Sequence, residues 1–332
     1  MAIVRDKDKK MEFDAKIFVA GHRGLVGSAL VRCLEAAGYT NLLLRTHAEL
    51  ELTDQHATSD FFAAERPEYV FLAAAKVGGI LANNTYPADF IYSNLAVQTN
   101  VIHAAYQYKV KRLLFLGSSC IYPRECPQPI REEYLLTGPL EATNSAYAVA
   151  KIAGIEMCRA YNRQYDTHFL AVMPTNLYGV GDNYDLQNSH VLPALIRKVH
   201  EAKLRGDDRV VLWGTGSPRR EFLCSDDLAE ACFFLINLPD SSFAGLLIQP
   251  GAPALINIGC GEDLTIKELA ELVKQVVGFE GMLMFDTSKP DGTPRKLLDV
   301  SKLHSLGWRH RTPLLDGIRA SYAEYIARKS DP

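Results

Sequence analysis

Uniformly apolar runs alternate with amphipathic stretches along the first half of the chain. KIFVA (16–20) is a short β-type run. GLVGSALVRCLEAAG follows it, apolar at helical spacing and closed by Gly38, which suits the C′ position of a helix. NLLLR (41–45) predicts a second strand, and TDQHATSDFFAAE predicts a helix capped by Thr53 or Asp54. EYVFLAAA (68–75) reads as a third strand. NTYPADFIYSNLAVQTNVIHAAYQYK carries a long helix, interrupted or begun near Pro87. RLLFLGSS, AYAVAKIAGIEMCRAYNRQY and THFLAVMP then give strand, helix and strand. Strands this apolar are buried on both faces, so the alternation predicts a parallel sheet covered by helices on either side.

After residue 176 the rhythm changes. Glycine, proline and asparagine punctuate TNLYGVGDNYDLQNSH; a helix (190–204), a strand RVVLWG and a basic turn TGSPRREFL come next. INIGCGEDLTIKELAELVKQVVG and LLDGIRASYAEYIARK suggest a smaller α/β part, while CSDDLAEACFFLINL has the pattern of a helix packing back on the sheet. No internal repeat or low-complexity linker is visible.

Composition narrows the functional classes. The 332 residues are 48% hydrophobic and 23% charged, with a formal net charge of −3, which argues against a non-specific nucleic-acid binder. No apolar run approaches the ~20 residues of a membrane span, and MAIVRDKDKKMEFDA lacks the apolar stretch of a secretory signal. The seven cysteines include no CxxC pair, and the nine histidines show no HExxH or HxH spacing. Reduced thiols in the cytoplasm are therefore expected, with neither a disulfide framework nor a metal.

Three motifs carry chemistry. GHRGLVG, with Gly21, Gly24 and Gly27, lies between a strand and an amphipathic helix, where glycines supply a tight turn and free N–H groups for a pyrophosphate. The loop thus offers Gly21, His22, Arg23, Gly24, Leu25, Val26 and Gly27 to a dinucleotide. Where an acidic residue would bind a ribose diol, the second strand ends in Arg45. With Arg23, it can neutralise a 2′-phosphate, favouring NADP(H). Arg45 can equally be a solvated strand end, and Glu49 nearby leaves weak NAD use open. YAVAK places Tyr147 and Lys151 on one helical face, where an ammonium should lower the phenol's pKa from ~10. Ser118 ends the preceding strand, where such sheets bind ligands.

GSSCIYP adds Cys120, two residues past Ser118. Taken alone, Cys120 reads as a small buried apolar residue, and His190 as a residue capping VLPALIRK. Lys198 and Arg220 offer charge to a diphosphate and Trp213 a face for stacking, although SPRRE alone is also what a solvated basic turn looks like.

The chain resembles the extended short-chain dehydrogenase/reductases over nearly its whole length from residue 16. The strings that carry the likeness are AGHRGLVGSA, AAAKVGGI, FLGSSCIYP, YAVAKIAG, PTNLYG, NSHVLPALIRK, WGTGSPRREF and KPDGTPRKLLD. They are most similar to the branch that epimerises and then reduces GDP-4-keto-6-deoxy-mannose. The resemblance implies Ser118, Tyr147 and Lys151 as a reductase triad, with Cys120 and His190 as the acid/base pair of epimerisation. It implies cofactor contacts from the glycine loop, Arg45, Leu116, Gly117, Lys151, Pro174, Thr175, Asn176, Leu177 and His190. Lys198, Trp213, Arg220 and Asp291 would hold the GDP-sugar, and a homodimer is implied as well. One departure is His47, where relatives often carry arginine.

The expected fold is α/β: a Rossmann-type doubly wound parallel sheet with a smaller C-terminal α/β substrate domain. Residues 1–15 would be a flexible N-terminal extension; 16–176, with part of 221–259, an NADP-binding domain; 177–220 and 260–332 a substrate-binding domain. Two other readings compete: a nucleotide-sugar 4-reductase in which Cys120 is inert, and a catalytically silent dinucleotide-binding regulator. Regulators of that kind tend to lose the Tyr/Lys pair, which is present here. A 4,6-dehydratase is disfavoured, since SSCIYP lacks the acidic pair such enzymes place after the serine.

Overall fold

Ten elements of the first half repeat the strand–helix unit: β1 (Ile17–Ala20), α1 (Leu25–Ala36), β2 (Leu42–Leu43), α2 (Gln55–Glu65), β3 (Tyr69–Leu72), α3 (Ile80–Thr85), α4 (Pro87–Gln107), β4 (Arg112–Leu116), α5 (Ser145–Tyr165) and β5 (Phe169–Pro174). They are seen in a computed structural model that describes residues 11–186, 188–247, 253–289 and 291–330. The second half adds β6 (Asn176–Tyr178), α6 (Val191–Arg205), β7 (Arg209–Trp213), β8 (Arg219–Arg220), β9 (Phe222–Cys224), α7 (Ser225–Ile236), α8 (Asp240–Leu247) and β10 (Leu255–Ile258). The chain ends with β11 (Leu264–Thr265), α9 (Ile266–Val277), β12 (Met282–Asp286), β13 (Arg295–Lys296), α10 (Ser301–Ser305) and α11 (Leu314–Ser330).

The apolar runs form one six-stranded parallel sheet in the order β10-β5-β4-β3-β1-β2. β1, β3, β4, β5 and β10 are buried at every position, as burial on both faces requires. On one face Leu30 and Leu34 of α1 pack with Leu228, Cys232 and Leu235 of α7. On the other, Phe62 of α2, Val101 and Ile102 of α4, and Ile155 and Cys158 of α5 close the core. A third cluster joins α6, α9 and α11 through Ile196, Val199, Leu269, Val273 and Ile318. Here, among the described residues, β7 pairs only with β12 and alternates exposed and buried residues, leaving Trp213 at its end 68% exposed.

Several sequence expectations change. The second strand, expected over 41–45, keeps only Leu42 and Leu43, which pair with Ile17 and Phe18. The third stops at Leu72, and the basic turn 215–223 contains β8 and most of β9. The interruption expected near Pro87 is present: two helices meet at Tyr86, with the proline at the start of the second. Within residues 11–15 of the expected flexible extension, Met11 and Ala15 are buried while residues 12–14 between them are exposed. Met11 is 3% exposed, donates its N–H to Asn237 and accepts the Tyr39 hydroxyl. Residues 1–10 of that extension and the terminal 331–332 lie outside the described residues. Among the described residues no helix is long and apolar enough to cross a membrane.

Candidate active site

The glycine loop turns at the C-terminal end of β1. Gly21 has φ +84°, and a Cβ there would come within 2.7 Å of the Ala74 nitrogen. A Cβ on Gly27 would come within 2.0 Å of the Gly21 oxygen. Side chains are thus excluded where backbone, helix and ligand must approach one another. Gly24 caps α1 without a side chain, so the N–H groups of Leu25 and Val26 open a helix N-terminus suited to a phosphate. His22 is half-buried, and burial together with Arg23 holds its pKa below the ordinary value.

Arg45 has partners of its own within the protein. Its guanidinium is already held by Glu65 at 2.7 Å and by the Leu44 carbonyl at 3.0 Å. Glu49 accepts from the backbone and hydroxyl of Thr46, both at 2.7 Å, and Arg23 lies exposed within its electrostatic reach. His47 pairs with Glu51 at 2.5 Å rather than facing the loop as a third cation.

At the end of β4, Leu116 and Gly117 lead into Ser118, whose extended backbone starts a single 3-10 turn at Ser119–Ile121. That turn brings the Cys120 N–H to the Ser118 hydroxyl at 3.4 Å. α5 supplies Tyr147 and, one turn later, Lys151. The Tyr147 hydroxyl hydrogen-bonds Ser118, and its ring meets Phe90 edge-on at 6.3 Å. Lys151 is 3% exposed, donates to the Leu116 carbonyl at 2.7 Å, and lies 5.8 Å from the Tyr147 ring centre.

Burial pushes Lys151 down to about 8. It pushes Tyr147 up, against the opposing Ser118 bond, so the expected lowering of this phenol is not what the geometry gives. The physical reason is direction: the ammonium points at a carbonyl, and desolvation of the phenolate dominates. Tyr147 is therefore held as a phenol, the form that donates a proton. Cys120 is 6% exposed, and burial likewise raises its pKa, with Lys296, Ser118 and Lys151 opposing.

His190 caps α6 with extended backbone and no side-chain capping bond. Burial and Lys296 lower its pKa. Lys296 was not singled out from sequence, yet its ammonium acts electrostatically on Cys120 and His190 alike, and on Arg220. The pairing of β13 with β8 sets Lys296 beside Arg220. The available signal was a second basic pair, Arg295–Lys296, in the same string as Asp291. Glu221, buried between β8 and β9, was also missed.

Lys198 and Trp213 come together, the ammonium 5.7 Å from the ring centre; Lys289, also unforeseen, lies 5.6 Å from the same ring. Asp291 accepts from the Thr215 N–H at 2.9 Å and hydroxyl at 2.7 Å. Arg220 is partly buried and electrostatically coupled to Asp291. Pro174, Thr175, Asn176 and Leu177 run from the end of β5 into β6, with Thr175 and Asn176 both hydrogen-bonded to the Glu221 carbonyl.

Residues 17–259 match the model of the NAD dependent epimerase/dehydratase family. The chain belongs to this family. GDP-L-fucose synthase 1 of Arabidopsis thaliana is 61% identical over 312 residues, 94% of this chain and 93% of that protein. Two solved members share the fold. A GDP-6-OMe-4-keto-L-xylo-heptose reductase from C. jejuni matches with TM-score 0.90 and 43% identity, covering 96% of this chain and 100% of that one. A GDP-L-fucose synthetase from Naegleria fowleri bound to NADP matches with TM-score 0.88 and 28% identity, covering 98% and 97%. The glycine loop and the Ser118–Tyr147–Lys151 group thus sit within a family of nicotinamide enzymes.

Proposed function

We propose that the chain is an NADPH-dependent GDP-L-fucose synthase. It converts GDP-4-keto-6-deoxy-D-mannose to GDP-L-fucose by inverting C3 and C5 and then reducing the C4 ketone. The observation that carries this reading is the meeting of Ser118, Cys120, Tyr147 and Lys151 at one strand end, where a proton-handling thiol adjoins a reductase triad. The 61% identity to a protein named GDP-L-fucose synthase supports it.

The C3 and C5 hydrogens lie alpha to the C4 carbonyl, so loss of either as a proton places negative charge on the C4 oxygen. Ser118 and Tyr147, aimed at that oxygen, stabilise the enolate by donating hydrogen bonds. Cys120 takes the proton onto sulfur from one face, and His190 returns a proton to carbon from the other. Lys296 favours the thiolate that this requires. Reduction must come second, because C3 and C5 lose their acidity once C4 is an alcohol. Tyr147 then gives its phenolic proton to the C4 oxygen.

The side-chain-free cradle at Gly21 and Gly27 and the open N-terminus of α1 fit a dinucleotide. The glycine loop, Arg23, Arg45, Leu116, Gly117, Lys151 and residues 174–177 would hold NADPH, which supplies the hydride when bound. Lys198, Trp213, Arg220 and Asp291 would hold the GDP-sugar. In this reading 16–176 with part of 221–259 is the cofactor half, and 177–220 with 260–332 the substrate half. The enzyme works in the reducing cytoplasm, consistent with seven free cysteines. It is a homodimer joined through α4 and α5.

The test is NMR of the product formed from GDP-4-keto-6-deoxy-D-mannose and NADPH. GDP-L-fucose is expected. A C4 alcohol with C3 and C5 unchanged would instead establish the second reading, a reductase with an inert Cys120, which the likeness to a heptose reductase favours. No consumption of NADPH would overturn both.

A further inference from the structure

Glu221 has no exposed surface (0%) and follows Arg220 directly, between β8 and β9. We infer that Glu221 is a positioning residue that holds the nucleotide-sugar half of the site in register with the nicotinamide half; this rests on the functional reading above. Its bonds reach three separate segments. The main-chain carbonyl accepts from Thr175 Oγ1 at 3.2 Å and Asn176 Nδ2 at 2.8 Å, which anchors the loop leaving β5. Its N–H donates to the Lys296 carbonyl at 3.3 Å, tying in β13. The carboxylate accepts from the Leu298 N–H through Oε2 at 2.9 Å and from the Gly261 N–H through Oε1 at 2.7 Å. Gly259 leaves room for it, since a Cβ there would come within 2.2 Å of Oε1.

Burial raises the Glu221 pKa, and the N–H groups of Leu298 and Gly261, one on each oxygen, act against that rise. Among the described residues no cation forms an ion pair with Glu221; backbone N–H groups satisfy it instead. Taking an anion out of water is costly unless such donors are fixed around it, so the bonds hold the segments as much as they hold the side chain. An amide of the same shape has one oxygen and two N–H donors. Glu221→Gln would therefore set an NH₂ against the N–H of either Leu298 or Gly261. The displaced strands carry Arg220 and Lys296, whose alignment with Thr175–Leu177 sets where the ketone lies relative to the nicotinamide. Misplacement of about 1 Å can cost on the order of 10²-fold in rate.

The experiment compares wild type, Glu221→Gln and Thr175→Val. It uses titration with GDP and with NADPH, melting temperature, and rates with NADPH deuterated at the transferred hydrogen. Glu221→Gln should bind GDP at least tenfold more weakly and NADPH within threefold of wild type. Its kcat should fall at least tenfold, with a larger deuterium isotope effect as hydride transfer becomes limiting. Thr175→Val removes the hydroxyl that bonds the Glu221 carbonyl and also reaches its carboxylate, while the Leu298 and Gly261 bonds to the carboxylate stay in place. It should raise the isotope effect while leaving GDP affinity unchanged, and it carries the test if Glu221→Gln does not fold. Variants that lose melting temperature or active fraction but keep wild-type affinities, KM and isotope effect would overturn the proposal. Wild type that binds neither GDP nor NADPH would overturn the functional reading itself, so the two failures are distinguishable.

Discussion

In the proposed reaction, the neighbours of the thiol two residues beyond Ser118 give it a use. Cys120 shares a strand end with Ser118, and the Lys296 ammonium acts on it and on His190 together. Cys120→Ala should stop solvent deuterium entering C3 and C5, while reduction of the unepimerised ketone survives. Wild-type exchange in that variant would return the cysteine to the core. Tyr147→Phe should lose ~10²- to 10⁴-fold in reduction, the usual worth of a general acid, with NADPH still bound. Wild-type reduction rates would place the acid elsewhere. Lys296 gives a signed pH test. Its positive charge lowers the pKa of the thiol and of the imidazole, so Lys296→Gln should raise both. The bell-shaped pH profile of C3/C5 exchange should therefore move to higher pH on both limbs, and limbs that stay in place would refute this role. Ser118, Tyr147 and Lys151 were legible because one strand end and one helical turn suffice to place them. Lys296 was not, because only the pairing of β13 with β8 brings it to the site.

Among the elements, the long periodic ones were readable and the short ones were not. β8 and β9 hold two and three residues, too few for any alternation to show, so a charged string resembled a turn. The same limit applies at the end of β2, where the sequence left Arg45 open as either a ligand of a 2′-phosphate beside Arg23 or a solvated strand end. The Arg45 guanidinium is spoken for by Glu65, and it packs over the Phe61 ring at 5.6 Å. Arg23 sits exposed on the glycine loop. NADPH is expected to bind at least tenfold more tightly than NADH, a difference of about 1.4 kcal/mol. Arg23→Ala should remove most of that preference and leave NADH nearly untouched, with Arg45→Ala having the smaller effect. Titration of both cofactors against both variants checks this. Equal losses for NADPH and NADH in Arg23→Ala would show that neither the loop nor its arginine reads the 2′-phosphate.

At the scale of the molecule, the parallel sheet followed from the apolar runs, but the place of β10 beside β5 depended on a partner some 85 residues away, beyond any local pattern. The outer surface of α4 and α5 has a comparable consequence. These two helices pack on each other and cover the sheet with their inner faces, and their outer faces carry a stripe of small and aromatic residues among polar ones such as Thr99, Arg159 and Arg163. Tyr92 and Thr99 of α4 are exposed, and His103 and Tyr106 of the same stripe are half-buried. On α5, Val149, Ala153 and Ala160 are exposed at helical spacing, and Tyr165 stacks on Tyr106 at 4.2 Å between ring centres. In the proposed dimer, small and aromatic residues in register would let two such helix pairs approach closely across a two-fold axis, as a self-complementary interface. Ala153→Arg puts a long cation in the middle of that stripe. In a monomer it would point into water and cost little. In the proposed dimer it would bury two unpaired charges, one from each copy, which an interface of this kind does not tolerate. Light scattering should therefore show a wild-type dimer and an Ala153→Arg monomer, with NADPH affinity within twofold because Ala153 is exposed whereas Lys151 on the same helix is buried toward β4. An Ala153→Arg protein that remains dimeric would move the interface off α4 and α5. A wild type that is monomeric at micromolar concentration would remove the dimer altogether.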